Sequence, residues 1–202
     1  MKQLFLISLL CVSTGAGESI TTVESPYPIS RFRTKAAIAQ EYCEKNKMNT
    51  DFCLLFDAKL HSGRNRLFIW DFRKDSITGM GLCAHGCCDG PWGEDESKET
   101  PVFSNKSGSH CSSLGKYKIG ARGYSNWGIN VNYKMHGLDV SNSNAYSRII
   151  VLHSWEDVPD DEVYPSGTPE GWGCPALSNS FMRKVDAKLK TAKTPVLLWI
   201  FE

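Results

Sequence analysis

The sequence lacks a charge of one sign. Its 202 residues carry 23 Lys and Arg against 22 Asp and Glu, a net charge of +1. The basic residues are scattered rather than clustered, so no nucleic-acid footprint is present. Beyond the first residues there is no apolar run near the roughly 18 residues of a membrane helix. Internal repeats and low-complexity segments are also missing. What remains is an ordinary balance, 41% apolar and 22% charged, suited to one globular domain with a real core. Composition therefore excludes classes of partner without choosing a substrate.

The N-terminus is more specific. Lys2 precedes a short apolar run, LFLISLLCV, and then the small residues STGAG. This order predicts a secretory signal over residues 1–16, cut near Ala16, and hence a periplasmic or otherwise extracytoplasmic protein. Residues 17–32 are polar at first and hold two prolines, which reads as a tether or arm. The domain proper is expected over residues 33–202.

Residues 33–48 read as a helix, with Thr34 as N-cap and with Ile38 and Tyr42 on its buried face. After that the punctuation is that of a β protein. Residues 52–60 and 66–72 suggest a hairpin, and 77–84, 117–119, 129–135 and 148–153 are further strand candidates. Ile129, Val131, Tyr133 and Met135 alternate with polar residues, as in a half-buried strand. Ser178 is placed to cap a helix whose apolar stripe is Phe181, Met182, Val185 and Leu189. Pro195 opens a last strand. The fold class is mainly β with a few short helices.

Without the signal, seven cysteines remain: Cys43, Cys53, Cys83, Cys87, Cys88, Cys111 and Cys174. An odd number in an exported chain points to intermolecular pairing or to one free thiol. Six lie between residues 43 and 111 and Cys174 stands alone. Cys43 with Cys53 is one possible bridge. Cys83, Cys87, Cys88 and Cys111, with His85 and His110, admit disulfides, free thiols or a tetrahedral zinc site. The spacing fits no common zinc module, and an oxidising compartment favours disulfides.

Cys174 sits in GWGCPALS. A nucleophilic thiol needs a base and donors for the oxyanion that forms on attack. His153 ends the apolar run RIIVLH, and the intervening segment, rich in Pro and Gly, is able to fold back and return Cys174 to that strand end. Gly173 permits close backbone approach. On residues alone, the nucleophile competes with a structural or disulfide-bonded cysteine.

RIIVLH and GWGCPALS, with RLFIWDF, AHG, PVFSNKSGSHCSSLGKYKIG, HGLD and NAYSRIIVLH in the same order, resemble the murein L,D-transpeptidase catalytic domain family, the branch with a Gly-Cys-Pro-Ala motif. The resemblance runs from about residue 51 to 201. It implies an L,D-transpeptidase-like β-sandwich or barrel and a cysteine acyltransferase acting on peptidoglycan stem peptides, without a metal or organic cofactor. It casts Cys174 as nucleophile, His153 as base, the backbone at Ser154 as the group orienting the imidazole, and Gly173 and Cys174 as oxyanion donors. The wider group often carries Ser-His-Gly-Cys at the nucleophile, whereas here Trp172 replaces the second histidine.

Three further residues are candidates for the substrate cleft. Trp172 lies beside the nucleophile. His136, in HGLD, is a cleft wall or a less favoured alternative base. Arg148 is a carboxylate binder or a structural residue. Tyr124, Trp127, Trp155 and Trp199 are expected mostly in the core. The acidic run 156–162 is either a solvated loop or a lid that attracts a cationic acceptor amine. A non-catalytic wall-binding protein on the same fold is the alternative reading.

Overall fold

A computed structural model describes Tyr27 and residues 29–202 of the chain. The predicted signal, residues 1–16, and most of the predicted arm lie outside the described residues.

Helix α1 (Ile29–Lys45) starts four residues before the expected boundary. The cause is Phe32, which joins Ala36, Ala39 and Cys43 in one buried stripe and packs its ring 4.3 Å from that of Phe68. Thr34 is therefore inside the helix, its hydroxyl donating back to the Ser30 carbonyl at 3.1 Å. The stripe also turns the helix so that Ile38 is exposed, against expectation. Lys47, at φ 54°, closes the helix. The Met48 N–H reaches the Cys43 carbonyl at 2.9 Å, the long bond of a left-handed helix stop.

Nine strands come after it: β1 (Phe52–Asp57), β2 (Leu67–Asp71), β3 (Ser76–Gly81), β4 (Cys83–Ala84), β5 (Gly115–Tyr124), β6 (Val131–Gly137), β7 (Val151–Ser154), β8 (Ala176–Leu177) and β9 (Leu197–Phe201). They form one sheet in the order β3-β2-β1-β9-β5-β6-β7-β8-β4. Its two edges, β3 and β4, are consecutive in sequence with only Leu82 between them, so the sheet curls until it nearly closes. Curling makes an inside. Leu54, Phe56, Leu67, Ile69, Tyr117, Val131, Tyr133, Met135 and Leu152 point into it.

Alternate residues of β1 and β2, among them Leu55, Phe68 and Trp70, face the other way and are covered by α1. Helix α2 (Asn179–Leu189) closes the inner core with Phe181, Met182, Val185 and Leu189, as expected, and the Ser178 hydroxyl accepts from the Phe181 N–H. The chain is mainly β, a nearly closed nine-stranded sheet with two α-helices among the described residues.

The pairing of β7 with β8 brings the two motif segments together. These strands are adjacent and parallel, with His153 opposite Ala176, and the His153 N–H donates to the Pro175 carbonyl at 3.3 Å. Despite the loop that separates them in the chain, His153 and Cys174 thus lie on neighbouring segments.

Candidate active site

His153 and Cys174 line one cavity of about 360 Å³, together with Trp92, Trp127, Trp155, Gly171, Trp172 and Ala176. The imidazole is nearly buried, and its Nδ1 lies 2.9 Å from the Ser154 carbonyl oxygen. A carbonyl only accepts, so Nδ1 must carry the proton and Nε2 must carry the lone pair. No protein group among the described residues pairs with Nε2. Burial pushes the His153 pKa below its ordinary 6.5, against smaller upward pulls from the Ser154 carbonyl and Glu156. At neutral pH this ring is a neutral base with one free lone pair.

The Cys174 residue is partly exposed, yet its surroundings are dense enough that desolvation pushes the thiol above its ordinary 9.0. The Val151 N–H, Arg148 and Lys134 oppose that shift. Both shifts favour uncharged groups, so the resting pair is thiol and imidazole rather than thiolate and imidazolium. The Val151 N–H points at Sγ from 3.4 Å, and the Ile149 carbonyl lies 3.9 Å from it.

Ile149 holds φ at 60°, a left-handed conformation that is a genuine outlier for a β-branched residue and costs about 1–2 kcal/mol. It closes the turn before β7, where the Ile150 N–H returns to the Ala145 carbonyl at 2.9 Å. The strain sits where the chain brackets the sulfur, as stored strain often does at functional sites. Sequence gives no signal for it.

Gly173 has φ 95°, and a Cβ there would meet the Cys111 carbonyl at 2.5 Å. A side chain is excluded on both counts. Its carbonyl accepts from the Ser112 hydroxyl at 3.1 Å, and that hydroxyl accepts from the Gly86 N–H, also at 3.1 Å. Among the described residues, the Gly173 and Cys174 N–H groups donate to no protein acceptor. They are free to serve an oxyanion.

The loop that carries Cys174 is fastened from behind. Gly171 exchanges backbone bonds with His85 and Cys87, at 2.8 and 2.7 Å. A disulfide joins Cys88 to Cys111. Cys43 and Cys53 are both free and buried, so the bridge that the sequence left possible between them is not formed. The zinc alternative dissolves in the same way. Cys88 and Cys111 are bonded to each other, His110 stacks on Trp172 at 5.5 Å, and His85 is held by Arg66 and Ser97. Among the described residues no group of His, Cys, Asp and Glu is arranged to hold a metal.

Arg148 does not present a free fork to the cavity. Its Nη1 donates to the Ser104 carbonyl (2.9 Å) and the Ser113 hydroxyl (2.8 Å), and its Nη2 to the Cys111 carbonyl (2.6 Å) and Ser109 hydroxyl. Of the two roles expected for it, the structural one fits: it holds the 104–113 segment and lends positive charge to Cys174. His136 is elsewhere. It stacks on Tyr146 at 4.8 Å and lines a separate cavity with Lys118, Tyr133 and Lys193, which removes it from the cleft around Cys174. Trp172 is 63% exposed at the cavity mouth, where expected. Trp127 and Trp155 also line the cavity, while Tyr124 is exposed rather than core. Sequence reasoning missed Trp92, Lys134 and Ser112, each brought to the site by contacts distant in sequence.

Known proteins supply an independent comparison. The profile of a family described as "L,D-transpeptidase catalytic domain" matches residues 25–199. Among solved structures the chain is similar to Pgp2, a helical cell shape determining protein of Campylobacter jejuni. Identity is 13% with a TM-score of 0.45, over 75% of this chain and 47% of that one. It is also similar to an L,D-transpeptidase of Xylanimonas cellulosilytica, at 7% identity and a TM-score of 0.40, over 80% of this chain and 68% of that one. The chain thus spans about half the length of Pgp2. No curated protein sequence matches it. A profile match over so much of the chain, beside a nearly closed sheet that sets His153 and Cys174 in one cavity, places this protein in the L,D-transpeptidase catalytic domain family.

Proposed function

We propose that this chain is an exported cysteine acyltransferase that acts on peptidoglycan stem peptides, with Cys174 as nucleophile and His153 as base. The observation that carries the reading is the shared cavity, which His153, with Nδ1 held by the Ser154 carbonyl, and Cys174 both line.

As Sγ of Cys174 attacks, Nε2 of His153 takes its proton. The carbonyl attacked joins the L-centre of the third stem residue to the terminal D-residue. Its oxygen becomes an oxyanion facing the Gly173 and Cys174 N–H groups, which are fixed beforehand and need no reorganisation. When the tetrahedral species collapses, the C–N bond breaks and the departing amine takes the proton from His153. A thioester remains on Cys174. An amine of a second stem then attacks the thioester, the C–S bond breaks, and a proton returns through His153 to sulfur. Water in place of the amine gives L,D-carboxypeptidation. Ser154 acts through its carbonyl, which holds the ring in the tautomer this reaction needs. The predicted signal over residues 1–16 would deliver the domain to the extracytoplasmic side, where its substrate lies.

The test is mass spectrometry of the mature protein with purified disaccharide-tetrapeptide. Loss of the terminal D-residue and an acyl adduct on the protein are expected. Cys174→Ala should abolish both, and His153→Ala should slow them about 10²- to 10⁴-fold. Intact substrate together with a Cys174 that resists alkylation in the folded protein would establish the non-catalytic wall-binding reading instead.

A further inference from the structure

Four of the six tryptophans in the chain line the one cavity that holds His153 and Cys174. Their rings are not a flat stack. Trp92 lies at the centre of the group, 5.0 Å from Trp155 at 27°, 6.1 Å from Trp127 at 47° and 6.4 Å from Trp172 at 56°. Trp127 and Trp155 meet edge to face, 5.9 Å apart at 64°. Rings tilted in several planes around a void of about 360 Å³ make an aromatic cage, with the buried Trp155 as its base and the other three rings open to solvent. Trp92, Trp127 and Trp172 remain 46%, 43% and 63% exposed, a large desolvation cost left standing unless something covers them.

The faces of these rings are also unused by the protein's own cations. Trp199, on the far side of the sheet from α2, carries Lys35 at 4.9 Å and Lys116 at 4.7 Å over its ring. Among the described residues no lysine or arginine sits over Trp92, Trp127, Trp155 or Trp172. The chain uses cation–π contacts freely elsewhere and sets no lysine or arginine over the indoles of its cavity, where Trp92 stacks on Trp155 and His110 covers one face of Trp172.

Charge around the cavity is divided. Lys134 and Arg148 act on the Cys174 side. Glu156, an exposed carboxylate, is held next to Trp127 and Trp155 without itself lining the cavity. It comes directly after Trp155 in sequence, accepts from the Gly128 N–H beside Trp127 at 2.8 Å, and pulls on His153. Two backbone N–H groups, its own and that of Gly128, keep it ionised. An aromatic cage with a carboxylate at its rim is complementary to an organic ammonium, because the negative ring faces and the carboxylate attract the same charge.

We propose that Trp92, Trp127, Trp155 and Trp172, with Glu156 at the rim, bind the acceptor substrate as an aliphatic primary ammonium beside His153. This rests on the acyl-transfer reading and extends it. The donor stem approaches on the Lys134 and Arg148 side, and the acceptor on the indole side. One proton of the bound ammonium leaves to solvent through His153. The freed lone pair attacks the thioester carbonyl, the C–S bond breaks toward sulfur, and the second proton ends on Cys174. The cage concentrates amine over water at the thioester and so biases the enzyme toward cross-linking rather than hydrolysis.

Binding is measured first, on the full mature chain carrying Cys174→Ala, by quenching of tryptophan fluorescence at pH 7. The probes are Nα-acetyl-lysine amide, its uncharged isostere Nα-acetyl-norleucine amide, and methyl N-acetyl-β-glucosaminide. The lysine probe should bind about fivefold or more tighter than the norleucine probe. Trp92→Leu or Trp127→Leu, both at partly exposed positions, should erase the difference, Trp92→Phe should keep part of it, and Glu156→Gln should reduce it.

Equal binding of the two amides, tighter binding of the sugar, or no binding of the lysine probe overturns the proposal. A second readout separates its failure from that of the acyl-transfer reading. With tetrapeptide donor and lysine probe together, the ratio of amine adduct to hydrolysis product should fall about fivefold in Trp92→Leu. A ratio unchanged while the acyl adduct still forms would sink the cage and leave the nucleophile standing. No acyl adduct at all would sink the enzyme reading, with the binding experiment still deciding the cage.

Discussion

His85 and His153 are both buried imidazoles, both pushed toward the neutral form by desolvation, and they differ in where their nitrogens go. At His85, Nδ1 lies 2.7 Å from Arg66 Nη2, and Arg only donates, so this nitrogen must accept. Nε2 therefore carries the proton, which goes to the Ser97 hydroxyl at 2.8 Å. Every polar atom of the ring is used. At His153 the tautomer is reversed, with Nδ1–H on the Ser154 carbonyl and Nε2 without a partner among the described residues, at a cavity wall. A saturated imidazole holds structure together, and a half-saturated one has something left to do. Burial and a shifted pKa alone do not distinguish them.

The surroundings of His85 explain its use. Arg66 is fully buried, with Nε on the Cys83 carbonyl at 2.7 Å, and desolvation lowers its pKa to about 10. Glu170 accepts from the Ser97 N–H at 2.7 Å, and its own N–H reaches the Glu94 carbonyl. Glu170 immediately precedes Gly171, so this network carries the Cys174 loop on a rigid base.

Acid should separate the two histidines most sharply. The proposed acyl transfer needs His153 neutral, and burial lowers its pKa from the ordinary 6.5. Activity should stay level as pH falls past 6.5 and then drop about tenfold per pH unit below the His153 pKa. On the alkaline side, a Cys174 thiol raised above 9.0 should leave the profile flat beyond pH 9. A rate that climbs from pH 7 to 9 with thiolate formation would contradict the neutral resting pair. Folding stability obeys a different rule. His85 is lowered far more, so the unfolded chain binds its proton first, and stability should decline as pH falls from about 6.5. In a His85→Asn variant that slope should flatten, while the acid limb of activity stays in place.

A smaller effect tests saturation directly. His85→Leu removes the acceptor from a buried guanidinium and should lower unfolding free energy by about 2–3 kcal/mol in urea titrations. A loss near zero would mean that Arg66 finds another partner. Smaller still is Ser97→Ala, which strips the hydroxyl from His85 Nε2 but leaves the Ser97 N–H on Glu170. About 1 kcal/mol of stability should be lost. Should this variant instead shift the acid limb of activity, the two histidines would be coupled and the comparison between them would fail.

Much of this was legible in the chain. Alternation at Val131, Tyr133 and Met135, and the Ser178 cap with its stripe, state their structure in neighbouring residues. The motif pieces around RIIVLH and GWGCPALS located the pair that the structure brings to one cavity. The misses share a cause. The stripe that fixed α1 was chosen by Phe68, thirty-six residues beyond Phe32, and that contact turned Ile38 outward. His136 resembled a cleft residue by its neighbours in sequence, but strand β6 carries it along to a different cavity. The four serine and cysteine partners of Arg148 lie 35 to 44 residues away.

Local chemistry was thus the sequence's own to determine: which segments alternate, where a helix is capped, and which thiol stands apart between a glycine and a proline. Tertiary structure alone decided the pairing of Cys88 with Cys111 out of 15 connectivities for six cysteines. It also set the opposite tautomers of His85 and His153, the left-handed turn at Ile149, and the gathering of Trp92 with Trp127, Trp155 and Trp172. Each of these depends on which distant atoms become neighbours when the sheet curls, and short-range patterns in a chain carry no record of that.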